Sequence, residues 1–186
     1  MYKIIVFLIF CVTATFGTST SKPVYCGDTP DKLLSCLKNP HVVSQDVITS
    51  CNNDQITKCD VMTCAFRKYK WLKAGKIDKP KVVSHFNQLA KDKPEWKTVL
   101  EYAITNCVER DLPPQGVYLG CPAYDILHCV LVSFIKKTDA AQWDSSPSCE
   151  YPRQYAGACP VCPSDCFAPA IPYGSCNACY AVAPAA

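Results

Sequence analysis

From Cys26 to Lys137 the apolar positions fall mostly three and four residues apart, the period of helices with one buried face. Asp28-Thr29-Pro30 predicts a first short helix carrying Leu33, Leu34 and Cys36, because a capping residue precedes proline at a helix start. Ser44 is the cap of a second, with Val47, Ile48 and Cys51. Residues 55–72 predict a third, through Cys59 and Cys64, with Gly75 as its stop. Asp78-Lys79-Pro80 restarts the chain, and Val82, Val83, Phe86, Leu89 and Ala90 share a face. Asp92-Lys93-Pro94 is read as the cap of the next helix, whose stripe is Trp96, Val99, Leu100, Ala103, Ile104 and Cys107. Pro113-Pro114-Gln115-Gly116 is a turn, and the last helix spans about Pro122 to Lys137 with Ile126, Leu127, Val130, Leu131 and Phe134. No stretch alternates with period two, so no sheet is expected.

The pattern stops near Gln142. Residues 145–186 hold seven of the 15 prolines and six of the 15 cysteines, with only Glu150, Arg153 and Asp165 charged. Proline interrupts helix and strand alike, so this stretch reads as an irregular, disulfide-held extension. Ala181 to Ala186 is expected to be loose. The fold class is therefore all-α. About six short helices, cross-linked around an apolar pocket, carry a Pro/Cys-rich C-terminal extension.

Composition adds the compartment. The chain has 186 residues and 15 cysteines. Lys3, the apolar run Ile4 to Phe16 and the small residues after Gly17 have the layout of a secretory signal peptide. That run is too short for a membrane span. Removal at residue 17 takes Cys11 away and leaves 14 cysteines, an even number. Such density in a secreted chain predicts a disulfide framework. The expected division is 1–17 signal peptide, 18–142 helical ligand-binding domain and 143–186 extension packed on that domain. The formal net charge of +3 comes without a basic block, so neither nucleic acid nor an anionic membrane is an expected partner.

Cysteines spread over several helices tie helix to helix. A shell held that way stays open around a void that packing alone would tend to close. The string Cys64-Ala-Phe-Arg-Lys-Tyr-Lys-Trp-Leu-Lys-Ala-Gly-Lys-Ile-Asp, the 42 residues between Cys64 and Cys107, and Cys121-Pro-Ala-Tyr-Asp-Ile-Leu-His-Cys129 resemble insect odorant-binding proteins. The likeness covers residues 26–140. The surplus cysteines, the Cys-Pro pairs at Cys121, Cys159 and Cys162 and the proline-rich tail resemble that family's cysteine-enriched "Plus-C" branch. The resemblance implies that Cys59 pairs with Cys121, Cys107 with Cys129, and Cys64 with Cys36 or, alternatively, Cys26. Cys26, Cys51 and any core cysteine left over are expected to bond to the tail. The chain departs from the family pattern twice, with four residues between Cys59 and Cys64 and seven between Cys121 and Cys129.

Enzyme chemistry finds no support: there are three histidines (His41, His85, His128) and none of the common hydrolase, metalloprotease or phosphate-loop motifs. In an oxidising compartment the tail's Cys-x-x-Cys pairs are disulfides rather than zinc ligands, and no cofactor or metal is expected. Candidates to line a pocket are Phe66, Phe86, Leu89, Trp96, Val99, Tyr102, Ile126, Val130 and Phe134, with ordinary core as the alternative for each. Tyr102 or Tyr124 is the expected source of a hydroxyl. The resemblance implies an extracellular carrier that binds small hydrophobic odorants or pheromones reversibly, has no catalytic activity and does not insert into membranes. Its expected partners are the apolar ligand and a membrane receptor. The alternative is a secreted interaction or defence protein acting through its extension.

Overall fold

A computed structural model describes residues 23–53, 55–167 and Cys176; the expected signal peptide and the last alanines lie outside the described residues. Seven α-helices are present among them: α1 (Leu33–Cys36), α2 (Gln45–Cys51), α3 (Lys58–Lys68), α4 (Lys79–Asp92), α5 (Lys97–Ala103), α6 (Pro122–Lys137) and α7 (Glu150–Ala158). The fold is all-α; the sheet among the described residues is one short hairpin, β1 (Leu72–Lys73) and β2 (Lys76–Ile77).

Local chemistry sets these boundaries. Helix α3 begins later than its apolar pattern suggests, because Thr57 and Asp60 form a capping box that closes both free amides. It also ends earlier. Lys70 takes the left-handed conformation (φ 57°), its N–H donates to Arg67, and Trp71 N–H donates to the Phe66 carbonyl at 2.8 Å. The Trp71 ring then packs edge-on against Phe66, 5.0 Å between centroids. That is a Schellman stop made without glycine. Gly75, expected to end the helix, instead turns the hairpin together with Ala74, both at positive φ (77° and 49°), as a two-residue hairpin loop requires.

Asp78 caps α4 by accepting from Lys81 N–H. Asp92, by contrast, is the last residue of α4, and its carboxylate accepts from Gln88 instead of capping α5. A 3-10 turn, Pro94–Trp96, makes that junction. Asp28-Thr29-Pro30 does not cap α1 either: that helix starts at Leu33, and the Thr29 hydroxyl donates to the Cys162 carbonyl.

The predicted stripe from Trp96 to Cys107 is buried throughout α5 and the π-helical turn that follows it, Ile104–Val108. With Val82, Phe86, Ile126, Val130 and Phe134 it forms the core.

The described part of the extension is more regular than expected. It carries α7, which contains Pro152. That proline sits in the helix's first turn, where backbone N–H groups lack helical partners anyway, so it does not interrupt the helix. Trp143, Tyr155, Ala156 and Val161 join the same core as α4 to α6. Lys136 of α6 reaches the Ala156 and Cys159 carbonyls at the end of α7, where a cation is favoured. The Tyr155 hydroxyl bonds to the carbonyls of Gly27 and Pro160.

Disulfides close the same contacts covalently. Cys59 pairs with Cys121 and Cys107 with Cys129. The expected Cys36–Cys64 bond is absent. Cys64 pairs with Cys51, because α2 packs on α3 and brings its last residue beside that helix. Cys36 lies against α7 and pairs with Cys149, and Cys26 pairs with Cys159. Cys51 is thus bonded within the helical body rather than to the tail. Cys166 pairs with Cys176, and Cys162 is disulfide-bonded as well. In the chain-entropy account, bridges closing loops of this length contribute roughly 3–5 kcal/mol each.

Candidate functional site

A cavity of about 370 Å³ lies between α3, α6, the N-terminal segment and the chain after α7. The α6 wall is Tyr124, Leu127, His128, Leu131 and Ile135, spaced three and four residues apart. Met62 and Lys58 come from α3, Thr29, Leu33 and Leu34 from the N-terminal side, and Val161 to Ser164 from the extension. The lining is predominantly apolar with a few polar groups, the composition of small-molecule sites.

The extension is held over this space by polar contacts as well as by sulfur. Lys58 Nζ donates to Ser164 Oγ at 2.7 Å and pairs with Asp165 at 2.8 Å. Cys59 on α3 is bonded to Cys121, immediately before α6, which fixes the spacing of the two helices that flank the cavity.

His128 is a buried polar group of the lining, 8% exposed. Burial pulls its pKa down to about 4; a hydrogen bond to the Val161 backbone opposes this and the Lys58 cation adds to it. The imidazole is therefore neutral at physiological pH. Its Nε2 is buried without a hydrogen-bond partner among the described residues. The Tyr124 ring lies parallel to His128, 6.1 Å between centroids. Burial, with the nearby Asp165, Tyr118 and Asp125, holds the Tyr124 hydroxyl protonated well above the ordinary tyrosine range.

None of the nine expected pocket residues lines this cavity. Phe66, Phe86, Trp96, Val99, Ile126, Val130 and Phe134 are buried in the core, and Leu89 packs against it. Tyr102 is 39% exposed, with the Lys137 ammonium 5.0 Å from its ring centroid. Ile126 and Tyr102 also border two other depressions, one beside Asp125 and one beside Lys136. The cavity residues Leu127 and Leu131 belong to the predicted α6 pattern, and Tyr124 to the expected hydroxyl sources. His128, Met62 and the Val161–Ser164 wall were not anticipated. His85 has no part in the cavity: its Nε2 lies 2.9 Å from the Val42 carbonyl and its ring packs against Trp71.

A helical shell, stapled by disulfides and holding an apolar cavity open, is the architecture expected from the likeness to insect odorant-binding proteins. General odorant-binding protein 68 of Anopheles gambiae is 26% identical to the chain over 182 residues, covering 84% of each. No protein-family model matches the chain.

Proposed function

We propose that the protein is a secreted, non-enzymatic carrier that binds small hydrophobic molecules, odorants or pheromones among them, reversibly in the α3–α6 cavity and moves them through extracellular fluid. The observation that carries this reading is the apolar cavity itself. A cavity of about 150 Å³ accepts one benzene, so about 370 Å³ has room for on the order of 15 non-hydrogen atoms. Binding is driven by removing apolar ligand surface from water, at about 25 cal/mol per Å² before ordering costs. The similarity to an odorant-binding protein supports the same role, and the surplus cysteines support a place in the cysteine-enriched branch. The paired cysteines and the signal-like first 17 residues support secretion.

Titration of the disulfide-bonded chain with a phenyl-naphthylamine probe tests the reading. Saturable fluorescence enhancement at one site per chain, reversed by apolar small molecules, is expected. A correctly folded chain that gives no saturable enhancement points instead to an interaction protein acting through its extension.

A further inference from the structure

We propose that the cavity selects apolar molecules ending in an uncharged oxygen acceptor, a ketone, aldehyde or ester, over the matching carboxylates, and that the Lys58–Asp165 pair at its mouth makes the selection. The inference rests on the carrier reading and names the ligand class for the same cavity.

Lys58 carries the only charge among the described residues that line the cavity. Its side chain is 47% exposed, so the amine stands where the cavity opens to solvent. Two of its three N–H groups have partners, Ser164 Oγ at 2.7 Å and Asp165 Oδ1 at 2.8 Å. The third has none among the described residues and is left to donate. The Cys59–Cys121 bond puts the starts of α3 and α6 side by side. Lys58, Ser164 and Tyr124 therefore gather at one end of the cavity, while Leu131 and Ile135 lie two and three turns further along α6. A ligand with an apolar body and one polar terminus fits that division. Asp165 decides which terminus suits. Its carboxylate already neutralises Lys58, and its Oδ2 is buried without a hydrogen-bond partner among the described residues. A second carboxylate at Lys58 would face that charge at close range and give up its own hydration. A carbonyl oxygen accepts the free N–H without bringing a charge.

The test displaces the phenyl-naphthylamine probe from the disulfide-bonded chain with methyl nonyl ketone and with undecanoate at pH 8, where the acid is ionised. The ketone should displace the probe at about a tenfold lower concentration than the acid. In Asp165→Asn, which frees the Lys58 charge, undecanoate should gain about tenfold and the ketone should keep its wild-type potency. In Lys58→Met, which keeps the apolar stem, the ketone should lose about fivefold. Ser164→Ala loosens the same contact without changing a charge. It should leave the ketone-to-acid ratio as in wild type, whereas a merely structural role of the pair would move that ratio in Ser164→Ala and Asp165→Asn alike. Should Asp165→Asn fail to give the native near-UV spectrum, Asp165→Ser replaces it with the same expected gain. Equal potency of ketone and acid on the wild-type chain overturns the proposal. So does unchanged undecanoate potency in the folded Asp165 variant, or a ketone indifferent to folded Lys58→Met. Probe binding that neither competitor reverses overturns the carrier reading as well, which separates the two failures.

Discussion

The two faces of α6 differ in what they pack against. Ile126, Val130 and Phe134 point into the core with Trp96, Leu100 and Phe86. Tyr124, Leu127, His128, Leu131 and Ile135 are displaced by about one residue's turn around the same helix and border the cavity. The core face is covered by α5 and the turn after it, which pack on α6 and are tied to it by Cys107–Cys129. The cavity face is covered by a segment held by disulfides and by the Lys58 contacts. Packing closes voids because each one is destabilising; covalent closure lets a void persist.

That contrast predicts unequal responses to truncation. Phe134→Ala empties a filled site and should destabilise the chain by about 3–5 kcal/mol. Leu131→Ala only enlarges an existing void and should destabilise by less than about 2 kcal/mol, the lower end of such changes, while weakening probe binding several-fold. Denaturant unfolding of both variants under oxidising conditions checks the pair. Equal losses would break the distinction between the two faces.

The next effect in size is on pH. The folded-state pKa of His128 lies near 4, below the ordinary imidazole value of 6.5. The unfolded chain therefore binds the proton first. The contribution of the neutral ring is fully present above about pH 6.5 and is lost as pH falls from there through 4. The window is worth roughly 3 kcal/mol. His85, whose pKa burial also lowers, acts in the same direction. Asp125, whose pKa burial raises, acts in the opposite one. Unfolding at pH 7 and pH 4.5 should show wild type losing roughly 2–3 kcal/mol more than His128→Leu. Equal losses would mean that the ring is not held neutral.

The sequence made the core legible and the cavity much less so. The stripe from Trp96 to Cys107 is one-sided, so its period identified buried positions correctly. Helix α6 is apolar nearly all the way round, so periodicity marks it as buried without saying which face meets a void. Helix α7 is hidden by the proline content of its stretch, because Pro152 stands in the first turn, where proline is tolerated. Lys70 ended α3 in a conformation that side chains other than glycine, asparagine and aspartate rarely adopt. The partner of Cys64 depended on how α1 and α2 pack, which spacing along the chain does not encode.

The smallest expected change in stability accompanies the most direct test of the central claim, that the α3–α6 cavity is the ligand site. Leu131→Trp places an indole where the ligand would lie. Titrating the phenyl-naphthylamine probe into this variant and into wild type, with thermal unfolding of each as the control, isolates occupancy of the void. The account predicts a melting temperature at or slightly above wild type and loss of saturable probe binding. Undiminished probe binding by folded Leu131→Trp would contradict it and place the ligand elsewhere.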